Sequence, residues 1–183
     1  MNRIVVSPPA EEALSPADVQ GQVHAYPEEA VAQAAHYKRL IVAARQAAEG
    51  ELLRPLLPQG CLVRVDCLAP RIRLWNDVRE VTSVTYLDAD GARQPLTSAG
   101  YRVVHRADLV MVGRPPEGSA VEVEFSAGAF DDPEQVPDAI KAWMLLQIGM
   151  LDEVREVAAD VQTYALPKDV TLLYLRPWMM QAV

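Results

Sequence analysis

Asp88, Asp90 and Gly91 come nearest, by type and spacing, to metal chemistry in this chain. They echo the start of a calcium loop, which places its glycine sixth and a glutamate twelfth. Here Gly91 comes too early, and the twelfth position from Asp88 is Ala99. A hairpin turn is expected instead. Gly113 to Ser119 (GRPPEGS) has the glycine spacing of a phosphate loop but lacks the lysine after its second glycine. It also precedes a strand pattern, and its two prolines remove backbone donors, so no phosphate site is expected. His24, His36 and His105 show no ligand spacing, and no serine sits in a GxSxG elbow. Cys61 and Cys67 form no CxxC pair and are expected as small core hydrophobes. The run Asp131-Asp132-Pro133-Glu134 is expected to solvate a loop and to complement the dipole of the helix after it. No catalytic constellation stands out, and no metal or cofactor is expected.

The elements that would position any site are better marked. The segment from Pro137-Asp138 to about Val157 is patterned as a helix, and inside it AWMLLQIGML, residues 142–151, carries no charge. Ile140, Met144, Ile148 and Leu151 form one stripe, and Trp143, Leu146 and Met150 form a second beside it. A helix that is apolar around most of its circumference needs cover on more than one side, from its own chain or from a partner. Ser15-Pro16-Ala17-Asp18 opens a short helix to about Ala25, after an extended, proline-broken arm over 1–14. Pro27 starts a longer helix expected to end near Gly50, a plausible C-cap, with the stripe Ala30, Ala34, Tyr37, Ile41, Ala44 and Ala48. The alanines allow close approach, and the 137–157 helix is the expected neighbour.

Between 61 and 126 the apolar period changes from 3.6 to 2. Strands are expected over 61–67, 71–75, 81–87, 94–96, 101–105, 109–112 and 120–125, forming an antiparallel meander of short strands bracketed by helices. Residues 158–165 read as a loop, and 168–175 as a short helix or a strand. The apolar terminus Trp178-Met179-Met180 either docks back on its own domain or inserts into a partner. The expected fold is α+β, a single domain over 1–183.

The 183 residues are half hydrophobic, with 23% charged and a formal net charge of −8. That composition supports a packed core and excludes wholesale disorder. It builds no basic patch for sequence-independent nucleic-acid binding. MNRIVVSPP has no signal-peptide pattern, and no uncharged run nears the roughly 18–20 residues of a membrane span. A soluble protein made inside the cell is expected.

Three stretches together resemble the head-tail connector (adaptor) proteins of long-tailed bacteriophages, prophages and gene transfer agents. The first is the Ser-Pro-Ala-Asp-Val helix start with the later RLIVAARQAAEGE. The second is Arg79 to Gly91 (REVTSVTYLDADG), followed by Tyr101-Arg102-Val103. The third joins Val121–Phe125, Ser126-Ala127-Gly128 and Val136-Pro137-Asp138-Ala139-Ile140-Lys141-Ala142, with Glu153-Val154-Arg155-Glu156 near the helix end. The match spans about 14–157, together with the terminal LLYLRPW; Leu151-Asp152 stands where an aromatic is common.

The resemblance implies a non-enzymatic virion protein of the neck, assembled in the bacterial host cytoplasm. It implies a homo-oligomeric ring, commonly a dodecamer, below the portal protein. Such a ring extends the DNA channel for packaging and ejection and carries the stopper or tail-completion protein. Portal docking would then fall to Leu175, Arg176, Trp178, Met179 and Met180, and subunit contacts to Trp143, Leu146 and Met150. Glu28, Glu29, Asp152 and Glu153 become candidates for the channel wall, where carboxylates would let duplex DNA slide past without sticking. A stopper or tail-completion ring is the alternative within the same biology. A monomeric ligand-binding or hydrolytic α+β protein is the alternative of another class.

Overall fold

The computed structural model describes residues 2–22, 27–156 and 166–179, without side chains at 2, 27–32 and 153–156. The fold is α+β as expected, and the chain divides into two compact units. One is a β unit of residues 1–10 and 57–131; the other is a helical unit of 11–56 and 132–183.

In the β unit, strands β1 (Asn2–Ser7), β2 (Gln59–Cys67), β4 (Val78–Leu87), β5 (Arg93–Pro95) and β8 (Ser119–Ala127) form one sheet in the order β1-β2-β8-β4-β5. Strands β3 (Arg71–Arg73), β6 (Tyr101–Val104) and β7 (Asp108–Met111) form a second, ordered β3-β7-β6. All pairings are antiparallel. The expected meander is thus corrected. The last strand, β8, inserts between β2 and β4, and β3 pairs with β7 rather than with its sequence neighbours. Strand length accounts for much of this, since the nine residues of β8 find long partners on both sides while three-residue β3 pairs with four-residue β7.

Alternation sends Cys61 and Val63 of β2, and Val121, Val123, Phe125 and Ala127 of β8, into a core shared with Ile72, Leu74, Leu109 and Met111. Cys67, expected in the core, is exposed because it lies at the end of β2. The arm over 1–14 is more ordered than the prolines suggest. Its β1 pairs with β2, and Ala13 and Leu14 are buried.

Asp88–Gly91 is the expected turn. The Asp88 carboxylate accepts the Gln94 amide (2.9 Å) and the N–H groups of Ala92 (2.9 Å) and Asp90 (3.0 Å), which together hold its pKa below the ordinary value. Gly91 supplies φ +79°.

Gly128, in the Ala-Gly turn after β8, is required for a different reason. A Cβ there would lie 2.7 Å from the carbonyl carbon of Leu57 and 2.7 Å from the nitrogen of Pro58, which are backbone atoms that cannot rotate away. Gly128→Ala is expected to lower stability by about 1–3 kcal/mol, read from the denaturation midpoint.

The helical unit contains α1 (Pro16–Gln22), α2 (Pro27–Leu52), α3 (Asp138–Glu156) and α4 (Lys168–Leu175). Ser15 and Asp18 cap α1 reciprocally: Asp18 N–H donates to Ser15 Oγ (3.3 Å), and Ser15 N–H to the Asp18 carboxylate (2.7 Å). The Ser15 N–H, together with the Ser15 hydroxyl donating to the same carboxylate at 2.8 Å, holds the Asp18 pKa below the ordinary value. Helix α2 ends near Gly50 as expected, but Gly50, the expected C-cap, lies inside it. The end is set three residues on, where Leu53 adopts φ 56° and Arg54 N–H bonds back to the Glu49 carbonyl at 3.2 Å. This is a Schellman closure with leucine where glycine is usual, and Pro55 comes directly after it. The choice between helix and strand over 168–175 is settled as helix. The loop expected over 158–165 and the helix end expected near Ala25 lie outside the described residues.

Candidate functional site

The apolar helix α3 and the segment after it carry the features for which a binding role is expected. Ile140, Met144 and Ile148 are buried at 1%, 0% and 0% exposure, and Leu151 is half-buried. Within the unit, α1, α2 and α4 all pack on α3, so three elements of its own chain cover it. The close approach of alanine-rich α2 is as expected, with Tyr37, Ile41, Ala44 and Ala48 at 0–1% exposure.

The second stripe divides. Trp143 is buried at 3% exposure, and its Nε1–H donates to Thr171 Oγ1 of α4 at 3.3 Å. That bond satisfies an indole that burial would otherwise strand. A neighbouring subunit cannot reach this side chain without displacing α4. Leu146 and Met150 stay half-buried and retain a side open to a partner.

The C-terminal segment divides in the same way. Leu175 is fully buried, and with Thr171, one helical turn earlier, it faces the interior. Leu175 therefore anchors α4 to its own unit. After it, Arg176–Trp178 make a single tight turn closed by Met179 N–H on the Leu175 carbonyl at 3.1 Å. Arg176 is exposed, and Trp178 and Met179 are half-buried. Arg54 Nη1 reaches the Trp178 carbonyl at 3.5 Å. Met180 lies outside the described residues.

The outward side of α4 adds two residues that sequence reasoning missed. Leu172 and Leu173 are 43% and 76% exposed. Reading 168–175 as helix would have identified them, because Thr171 and Leu175 one turn apart define the inner side.

Of the carboxylates expected along a channel, Asp152 is engaged. Its Oδ1 lies 2.9 Å from His36 Nε2, linking α3 to α2. Glu28 and Glu29 occupy the first turn of α2 and Glu153 the last turns of α3, and their side chains are not among those described. Among the described residues, no group of three His, Cys, Asp or Glu side chains is arranged to hold a metal ion. Among the same residues, no helix is long and apolar enough to cross a membrane.

No family model matches the sequence, and no curated protein matches it. Solved structures do. The chain shares its α+β fold with chains of gene transfer agent (GTA) particles. One is from the virion of a native GTA particle: 25% identical, covering 100% of this chain and 97% of that one, with a TM-score of 0.70. Another is from the neck of an empty GTA particle computed with C6 symmetry, at 24% identity and TM-score 0.70. A third is from the neck of a native GTA particle computed with C12 symmetry, at 23% identity and TM-score 0.70. Coverage in both of these is also 100% of this chain and 97% of theirs.

Proposed function

We propose that this protein is a structural component of a virion neck, a head-tail connector that forms a ring below the portal. The ring, of twelve copies, extends the DNA channel and offers the platform on which a stopper or tail-completion protein assembles. It performs no enzymatic step. The observation that carries this reading is the end-to-end likeness to a chain of the native GTA virion, with 97% of that chain covered. Two features of the chain support it. A ring needs two different surfaces per subunit, one meeting the other on the next copy, and Leu146 and Met150, like Leu145 and Leu151, are half-buried on a helix whose Ile140, Trp143, Met144 and Ile148 are buried within the unit. In addition, exposed Leu172 and Leu173, followed in the chain by exposed Arg176 and half-buried Trp178 and Met179, supply apolar side chains and a basic group suited to docking on a portal. Glu28, Glu29, Asp152 and Glu153 remain the proposed channel-facing carboxylates.

The test is to mix the full chain with assembled portal rings and image the complex with this protein labelled. A labelled ring of regular symmetry directly beneath the portal is expected. A chain that stays monomeric beside assembled portals overturns the reading, and a ring seated further down the neck replaces it with the stopper.

A further inference from the structure

The small sheet β3-β7-β6 has a face that the proposed function leaves unused. Its inner side holds Ile72, Leu109 and Met111 in the core. Antiparallel register places Arg71, Val110 and Arg102 side by side on the opposite face, with Arg73 and Asp108 paired in the next row. Asp108 is almost wholly buried beneath the two β3 arginines, accepting from Arg71 Nη2 at 2.5 Å and Arg73 Nη1 at 3.2 Å. Burial raises the Asp108 pKa, but the two guanidinium groups outweigh it and hold the pKa below the ordinary value. Arg71 stays 61% exposed at its side chain, and Arg102 and Arg106 are exposed. Arg3 lies near enough for burial and the charge of Arg73 to lower its own pKa. Strands β3, β6 and β7 with the β6–β7 turn therefore carry four arginines against one carboxylate, in a chain of net charge −8.

The turn itself adds a second observation. His105 and Arg106 have φ values of 53° and 51°, and Ala107 N–H closes on the Val104 carbonyl at 3.2 Å. Two successive left-handed residues make a type I′ turn, in which Asn-Gly is the usual sequence, within the three-residue connection 105–107 between β6 and β7. Placing His-Arg there costs about 1–2 kcal/mol per residue. An arginine at an exposed, strained hairpin tip, where glycine would be relaxed, points to a use for its charge.

We infer that this arginine face docks the acidic helical unit of a second copy of the same chain, an inference that rests on the ring reading above. The helical unit has eight lysines and arginines against fifteen carboxylates, whereas the β unit has nine arginines against ten carboxylates. The charge needed to complement the arginines is therefore carried by the other half of the molecule. A face of one kind meeting a face of another is the head-to-tail contact from which rings are built. Duplex DNA fits the face less well, since the rest of the molecule would repel its phosphates.

The test uses the full chain in sedimentation velocity over a range of concentrations. Self-association is expected at about 0.1 M salt and should weaken at about 1 M, where the screening length falls from ~10 Å to ~3 Å. R102E should weaken it by about tenfold. R106G should weaken it a fewfold while raising the melting temperature, because glycine relieves the left-handed turn; a purely structural role for Arg106 would not separate the two. Either variant associating as tightly as the parent overturns the proposal and leaves the ring reading standing. A parent chain that never associates, even beside assembled portals, overturns both. A labelled DNA duplex that binds the parent and is released by R102E, with self-association unchanged, assigns the face to DNA and also overturns it.

Discussion

Arg45→Met is expected to destabilise the helical unit by about 3–5 kcal/mol, the cost of removing one partner from a buried ion pair. Arg45 and Glu49 stand one turn apart on α2, with side chains 3% and 4% exposed, and Arg45 Nη1 lies 3.0 Å from Glu49 Oε2. Arg45 Nε also meets Glu12 Oε2 at 2.7 Å, tying the segment before α1 to α2. The other oxygen of Glu49 accepts the Leu56 N–H at 3.0 Å, just beyond the left-handed Leu53 that ends the helix. One carboxylate therefore joins the helix, its closing turn and, through Arg45, the entering chain. Methionine fills much of the arginine volume but leaves the Glu49 charge buried without that guanidinium. Arg45→Met/Glu49→Gln is expected to recover more than half of the loss, because the glutamine carbonyl still accepts from Leu56 N–H while the buried charge is gone. Helical signal against denaturant, rather than a whole-molecule midpoint, is the readout, since two units need not unfold together. Equal losses in the single and double variants would show that the loss comes from the missing Arg45 contacts and not from the uncompensated Glu49 charge.

That network was not legible in the sequence, for a physical reason. An Arg and a Glu four apart on a helix usually lie in solvent, and only the fold shows that the arriving chain covers them. Gly50 misled in the opposite direction. Glycine is the ordinary signal for a helix end, yet the closure over 49–54 formed with Leu53, because the buried Glu49 carboxylate holds the Leu56 N–H and so fixes the path of residues 53–56. Periodicity did locate nearly every strand and α1, α2 and α3. It could not reveal which strands pair, since β8 joins β2 from some fifty residues away and the short β3 leaves for a second sheet. In the candidate site, the need of α3 for cover on several sides was readable from Trp143, Leu146 and Met150. That α4 supplies it at Trp143 was not, because eight residues are too few for periodicity to choose helix over strand. The outward leucines 172 and 173 were lost with that choice. The arginine face was hidden for a related reason. Arg71, Arg73, Arg102 and Arg106 are scattered in a chain of acidic composition, and only strand register brings them together.

Removing residues 176–183 is expected to abolish attachment to portal rings while leaving the fold in place. The groups that hold α4 lie before the cut: Thr171 accepts from Trp143 Nε1, and Leu175 is fully buried. The groups removed include the Trp178 carbonyl, reached by Arg54 at 3.5 Å, and the Met179 N–H on the Leu175 carbonyl. Each contributes only about 0.5–1.5 kcal/mol. Helical content should therefore be nearly unchanged. Binding should fall much further, because a segment that joins a half-buried tryptophan to an exposed arginine and a methionine has the composition of an interface anchor. A loss of about 100-fold in affinity, ~2.7 kcal/mol, is the least expected. Leu172→Ser/Leu173→Ser offers an independent check, since both side chains are exposed on the same segment and their replacement removes apolar surface without opening the core. It should weaken portal binding in co-sedimentation with little change in thermal melting. If the truncated chain still co-sediments with portal rings at parental affinity, the anchor is elsewhere, and the exposed leucines of α4 serve a different partner.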